Sequence, residues 1–189
     1  MLRSMLFCLA LGIVGEVAAE VATNAASDSA TIVVAPEAIS IDPANGLRMY
    51  QNVPFTGEIH SLHADGKVAT SDQFRDGKRH GWARNYFVNG KLGYELPFVD
   101  GQREGESRTW WLNGNLRSQT IFKNDKIDGI AWEWYQDGKQ FKRHSYRDGE
   151  PVGLQQGWRP NGKLFSNFEI RNGRIYGLSN ANLCTGLTS

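Results

Sequence analysis

The chain has 189 residues, with 21 Lys/Arg against 20 Asp/Glu and a formal net charge of +1. That balance excludes a whole-chain field favouring nucleic acid or an anionic membrane. Glycine (21 residues) and aromatics (9 Phe, 6 Trp, 6 Tyr) are both plentiful, a pairing that points to short strands and tight turns.

The stretch "MLRSMLFCLALGIVGEVAAE" reads as a signal peptide over residues 1–19. Arg3 gives a short positive start, Met5 to Val14 an apolar run, and Val17 and Ala19 the compact side chains of a cleavage site after Ala19. The apolar run is too short for a spanning helix, which needs about 20 residues, so no transmembrane span is expected after cleavage. The expected location is therefore periplasmic or secreted. Once the leader is removed Cys184 is the single thiol, which leaves no internal disulfide to stabilise the fold.

Residues 20–46 open with an Ala/Ser/Asp-rich stretch and read as a flexible linker or N-terminal arm. Within it "TIVV" at 31–34 is either a short strand added to the fold or a tether. Charge also divides here. Residues 20–56 carry one Arg and four acids, net −3, whereas residues 57–176 carry 19 Lys/Arg and 15 Asp/Glu, net +4.

From Gly57 onward a period governs the sequence. Gly57, Gly81, Gly105, Gly129, Gly153 and Gly177 stand 24 residues apart. Numbering each repeat from 0 at its glycine, positions 8 and 9 hold Asp65-Gly66, Asn89-Gly90, Asn113-Gly114, Asp137-Gly138 and Asn161-Gly162. Positions 19 and 20 hold Asp76-Gly77, Asp100-Gly101, Asn124-Asp125, Asp148-Gly149 and Asn172-Gly173. Position 17 is Phe74, Phe98, Phe122, Tyr146 and Ile170. The repeats are 57–80, 81–104, 105–128, 129–152 and 153–176, with partial caps at 47–56 and 177–186, so the array covers 47–186.

Each repeat reads as a β-hairpin, and the fold class as all-β: an elongated antiparallel meander of about five hairpins with partial terminal caps. Asn-Gly or Asp-Gly at positions 8 and 9 predicts a two-residue type I′ turn. That turn would pair position 7 with 10, 6 with 11 and 5 with 12. Extended backwards, the register puts each opening glycine opposite position 17, so Phe74 would lie over the bare backbone of Gly57. It also puts positions 6, 11 and 17 on one face and position 5 on the other. Aromatic columns on both faces predict a twisted, partly rolled sheet.

The motifs "YFVNGKLGYELPFVDG", "WYQDGKQFKRHSYRDG" and "WRPNGKLFSNFEIRNG" resemble the MORN repeat, in its variant class. The resemblance covers about residues 47–186. It implies an elongated sheet of hairpins serving as a scaffold or binding surface. Bacterial members of this type are often described as YwqK-like antitoxins. The resemblance carries no catalytic residue.

The residues themselves offer no catalytic set: no G-x-S-x-G, no Cys–His pair and no carboxylate pair outside the repeat pattern. His60, His63, His80 and His144 lack chelating spacing, so neither metal nor cofactor is expected. The candidate binding residues are the position-5 column Tyr86, Trp110, Trp134 and Trp158, with Arg84 and Arg108 two residues before the first two. An Arg/Trp stripe has the composition of a protein-interface hot spot and equally that of cation–π packing within a sheet. Lys67, Lys91, Lys139 and Lys163 follow the turn glycines and predict a row of positive charge along one edge. The functional expectation is an exported, non-catalytic scaffold or adaptor that binds a protein partner at the cell envelope. The alternatives are an antitoxin or immunity protein, and recognition of envelope glycan or anionic lipid headgroups.

Overall fold

A computed structural model describes residues 31–178. The leader at 1–19 and most of the cap at 177–186 lie outside the described residues. Within them run β1 (Val33–Val34), a 3-10 turn (Pro36–Ala38), β2 (Ile39–Ile41), β3 (Arg48–Tyr50) and β4 (Val53–Pro54). The repeats follow with β5 (Gly57–Leu62), β6 (Val68–Arg75), β7 (Lys78–Tyr86), β8 (Leu92–Val99), β9 (Gln102–Arg103) and β10 (Gly105–Trp110). They continue with β11 (Leu116–Lys123), β12 (Lys126–Ile127), β13 (Gly129–Trp134), β14 (Gln140–Arg147), β15 (Glu150–Trp158), β16 (Leu164–Arg171) and β17 (Arg174–Leu178).

From β5 onward these strands form an antiparallel meander in sequence order, with β1 added in parallel on β5. β2, β3 and β4 make a separate three-stranded sheet. The described part of the expected linker is therefore folded. Val33 and Val34 pair with Glu58 and Ile59, and Ile39–Ile41 with Arg48–Tyr50, so two strands of the β structure come from this span.

Both turn pairs of each repeat are turns, but of two kinds. At positions 8 and 9 only the glycine has positive φ, 82° at Gly66 and 79° at Gly90. The His63 N–H donates to Lys67 O at 2.8 Å and the Gly66 N–H to His63 O at 2.9 Å. This is a three-residue loop ending in a left-handed glycine, not the expected type I′ turn. The Asn or Asp is needed here for its side chain: Asp65 Oδ1 accepts the Lys67 N–H and Asn89 Oδ1 the Lys91 N–H.

The type I′ geometry occurs at positions 19 and 20, where both residues are left-handed: Asp76 (φ 49°) with Gly77 (78°), and Asn124 (49°) with Asp125 (65°). Asn and Asp tolerate that region better than other side chains. Gln51-Asn52 repeats the geometry between β3 and β4.

The longer loop shifts the register by one. Position 5 faces 11, as in Leu62–Val68, Tyr86–Leu92 and Trp110–Leu116, where 12 was expected. A bulge then restores the frame, and each opening glycine lies opposite position 17: Gly57–Phe74, Gly81–Phe98, Gly105–Phe122, Gly129–Tyr146 and Gly153–Ile170. The bulge also changes what packs near the loop. Position 6 meets position 12, not 11: Tyr135 lies 4.8 Å from Phe141, and the Arg117 guanidinium 4.6 Å from the Trp111 ring centroid.

The glycine itself has a different reason from the one expected. Gly81 has φ 98°, and a Cβ there would collide with Oε1 of Gln73, not with the ring of Phe98. Gln73 is held in place, since its amide donates to Glu58 Oε1 and its oxygen accepts the Trp82 N–H. Gly177 closes the described series with φ 108°.

The first four repeats are joined by hooks at the type I′ turns. The N–H of position 20 donates to the carbonyl of position 22 in the repeat before: Gly101 to Arg79, Asp125 to Arg103 and Gly149 to Ile127, at 2.8–3.1 Å. The N–H of position 19 is taken by whatever acceptor stands at position 23 of that repeat: Thr56 for Asp76, His80 for Asp100, Glu104 for Asn124 and Asp128 for Asp148. At the loop end a second hook crosses repeats. The side chains of His63, Trp111 and Tyr135 donate to the carbonyls of Tyr86, Trp134 and Trp158.

The packed stripe is narrow. Phe55 is 2% exposed, with Tyr50 and Phe74 at ring distances of 5.9 and 6.1 Å. Beyond it Phe98, Phe122 and Tyr146 are half-buried. Arg79 lies over the rings of Phe74 and Phe98 at 6.0 and 5.5 Å, and Arg103 over Phe122 at 4.5 Å. Cover therefore comes from side chains within the layer, each such contact contributing about 0.5–2 kcal/mol.

Two predictions follow the glycine and the hook. Gly81→Ala forces a left-handed alanine into Gln73 and is expected to cost about 1–3 kcal/mol in urea denaturation. For Asp125, the Arg103 backbone N–H and then its side chain hold the carboxyl below its ordinary value of 3.8. A lowered folded pKa contributes stability above the unfolded pKa and loses it as pH falls through the folded one. Asp125→Asn should therefore have a lower urea midpoint than the unaltered chain at pH 7, with the gap closing as the pH is taken below about 3.8.

Candidate binding face

One face of the array carries positions 1, 3 and 5 of the first strand of each repeat, because side chains alternate along a strand. It gathers the sequence-predicted residues into two groups. Trp134 and Trp158 belong to the first, but they meet through a third ring. Trp132 stacks on Trp134 at 6.0 Å with 19° between planes, and on Trp158 at 6.4 Å with 15°. The Arg143 guanidinium lies 5.7 Å from the Trp132 ring, directly across the strand pair. All three tryptophans are half-buried, so the stack keeps part of its surface in solvent.

Arg84 and Arg108 form the second group, again through a residue absent from the sequence-level list. Glu95 is the cross-strand partner of both. Its carboxylate lies 3.6 Å from Arg84 Nε and 3.6 Å from Arg108 Nη1, and its side chain is only 14% exposed. Arg108 also pairs with Glu106, and Arg84 lies 5.2 Å from the Trp82 ring. The two arginines are therefore held as a strip of alternating charge. Tyr86 and Trp110 sit at the edge of this strip, opposite Leu92 and Leu116.

Towards the N-terminal end Glu58 receives three partners: the Gln73 amide at 2.9 Å, the His60 ring at 2.7 Å and the Ser71 hydroxyl at 3.1 Å. The Gln73 contact, with those of His60 and Ser71, holds its carboxyl below the usual range although burial opposes. His144 is pushed below the ordinary imidazole value, first by burial and then by the Lys142 charge.

Three of the four loop lysines are engaged locally. Lys67 and Lys139 each reach the Asp two residues before them at 2.8 Å, and Lys91 reaches Asn113 O at 2.8 Å. Among the described residues no three His, Cys, Asp or Glu side chains are grouped to hold a metal ion, and no helix is long and apolar enough to cross a membrane.

Trp132 and Glu95 were both within reach of the alternation rule. Trp132 stands two residues before Trp134 and so shares its face. Glu95, at position 14, faces position 3, Arg84, in the expected register as in the structure, and its second partner Arg108 lies on the next repeat.

The segment 103–124, which spans β10 and β11 with their loop, matches the family model described as MORN repeat variant. No curated protein matches the chain significantly. MORN repeats are in general non-catalytic. The chain thus carries a MORN repeat of the variant type at residues 103–124, within a 24-residue geometry that continues on either side, and such a repeat suggests a repeat-built binding or scaffold protein.

Proposed function

We propose that the protein is an exported, non-catalytic scaffold that binds another protein at the cell envelope through the face bearing Trp132, Trp134 and Trp158. The observation that carries this reading is the three-ring stack, half-exposed on a sheet and continued by the Arg84–Glu95–Arg108 strip. Tryptophan and arginine are the residues most often found at the energetic centre of protein interfaces. A regular sheet presents them at fixed spacing with little ordering left to do on binding. Export rests on the leader over residues 1–19.

The lysine row gives less support to glycan or lipid-headgroup recognition, because Lys67, Lys91 and Lys139 each already have a local partner. An antitoxin or immunity role, of the YwqK-like kind, would use the same face and differ in the partner and its compartment.

Two measurements test the proposal. N-terminal sequencing of the protein from fractionated cells should find Glu20 as the first residue, outside the cytosol; an intact chain in the cytosol would overturn export. Affinity capture from envelope extracts should return a specific partner, and a Trp132→Ala/Trp134→Ala double variant should retain it about tenfold less well or worse. Circular dichroism checks that the variant is folded, and equal capture by both proteins would remove this face from the function.

A further inference from the structure

The period supplies an internal template for a recess at the N-terminal end of the same face. Displaced by three repeats, Trp132 corresponds to His60, Trp134 to Leu62, Trp158 to Tyr86 and Arg143 to Ser71. In the fourth and fifth repeats the indole of Trp132 fills the space between its neighbours, stacked on two rings and covered by a guanidinium. In the first and second repeats the backbone pairing is the same: His60 faces Ser71 as Trp132 faces Arg143. All four groups are smaller here. What remains is a cleft of about 380 Å³ lined by Glu58, His60, Val68, Ser71, Arg84 and Tyr86. That volume lies near the lower end for ligand sites and suits one ring, not a large cofactor.

The walls are set before any ligand arrives. His60 is fixed by Glu58, and Glu58 by Gln73 and Ser71, so the carboxylate has its partners within the protein. The Tyr86 backbone is held by the ring of His63. Arg84 and Lys67 complete the lining, but Glu95 neutralises the first and Asp65 the second, so the charges around the cleft are paired and the space left is suited to an uncharged ring.

We propose that this cleft receives an aromatic side chain, tryptophan fitting best, from an extended segment of a partner protein. The ring takes the place that Trp132 occupies three repeats later and lies against Tyr86. This rests on the scaffold reading above and names what the partner presents.

The test uses isotope-labelled full-length protein and three capped peptides, Ala-Trp-Ala, Ala-Leu-Ala and Ala-Ala-Ala, titrated by NMR. Ala-Trp-Ala is expected to give saturable shifts centred on His60, Arg84 and Tyr86. Ala-Leu-Ala should bind about tenfold more weakly and Ala-Ala-Ala should cause no saturable change. His60→Trp, which fills the cleft with the protein's own indole, should abolish the shifts while raising the melting temperature. Tyr86→Leu, which keeps bulk and removes the ring, should weaken binding in a folded chain even if His60→Trp misfolds. Shifts centred on the Trp132 stack, equal binding of all three peptides, or full binding by Tyr86→Leu or by a folded His60→Trp would each overturn the cleft. Envelope capture separates the two proposals. Peptide binding without any captured partner would remove the scaffold and leave the cleft; undiminished capture by His60→Trp would remove the cleft and leave the scaffold.

Discussion

The constraint on which the array depends is the left-handed turn at positions 19 and 20 and the hook it makes to the repeat before. Two consecutive residues with positive φ close a tight turn whose twist matches the flanking strands. The same turn leaves two N–H groups pointing outward, and these cannot go unpaired in a packed layer without cost. The preceding repeat receives both, one on the carbonyl of position 22 and one on the side chain at position 23. Threonine, histidine, glutamate and aspartate all serve at position 23, because the requirement is only for an acceptor at that place. The first four repeats are thereby each set in register with the unit before, whereas the fifth follows Val152, which has no side-chain acceptor, and is held by the strand ladder. A layer with Phe55, Phe74 and Ala83 as its described buried apolar side chains needs such a backbone frame.

A frame fixed by turns frees the face to vary. Positions 3, 5 and 14 carry Trp132, Trp134 and Arg143 in one repeat and His60, Leu62 and Ser71 in another, on the same strand pairing. One combination closes into a stack of rings, one into a strip of alternating charge around Glu95, and one into a recess. The binding character of the face changes along the array while the fold does not, which is how a repeat protein acquires specificity from a uniform scaffold.

Much of this was legible in the sequence. The 24-residue period gave the strand order, the two turns per repeat and the pairing of each opening glycine with position 17. The turn chemistry was read incompletely, since Asn-Gly and Asp-Gly satisfy two different demands. At positions 8 and 9 the side-chain oxygen of Asp65 or Asn89 accepts a local N–H, whereas at 19 and 20 the left-handed tolerance of Asp76 or Asn124 is what matters. The one-residue shift from the longer loop is undone by a bulge, so the far end of each hairpin came out right and the near end did not. Hence the packing of position 6 against 12 stayed hidden, whereas Glu95 stands opposite Arg84 in the expected register too and only its second partner, Arg108, depends on the junction between repeats. Trp132 is marked by no column, since position 3 is His60, Arg84, Arg108 and Gln156 in the other repeats; only the two-residue alternation puts it on the face of Trp134.

The hooks are most directly tested by amide hydrogen exchange of the native chain. If they set the register, the Gly101, Asp125 and Gly149 N–H groups will exchange as slowly as those at the centres of β7 and β14, opening only with the repeats themselves. Exchange of those three amides at the rate of a solvent-exposed turn would contradict this, and the strand ladder alone would then hold the repeats together.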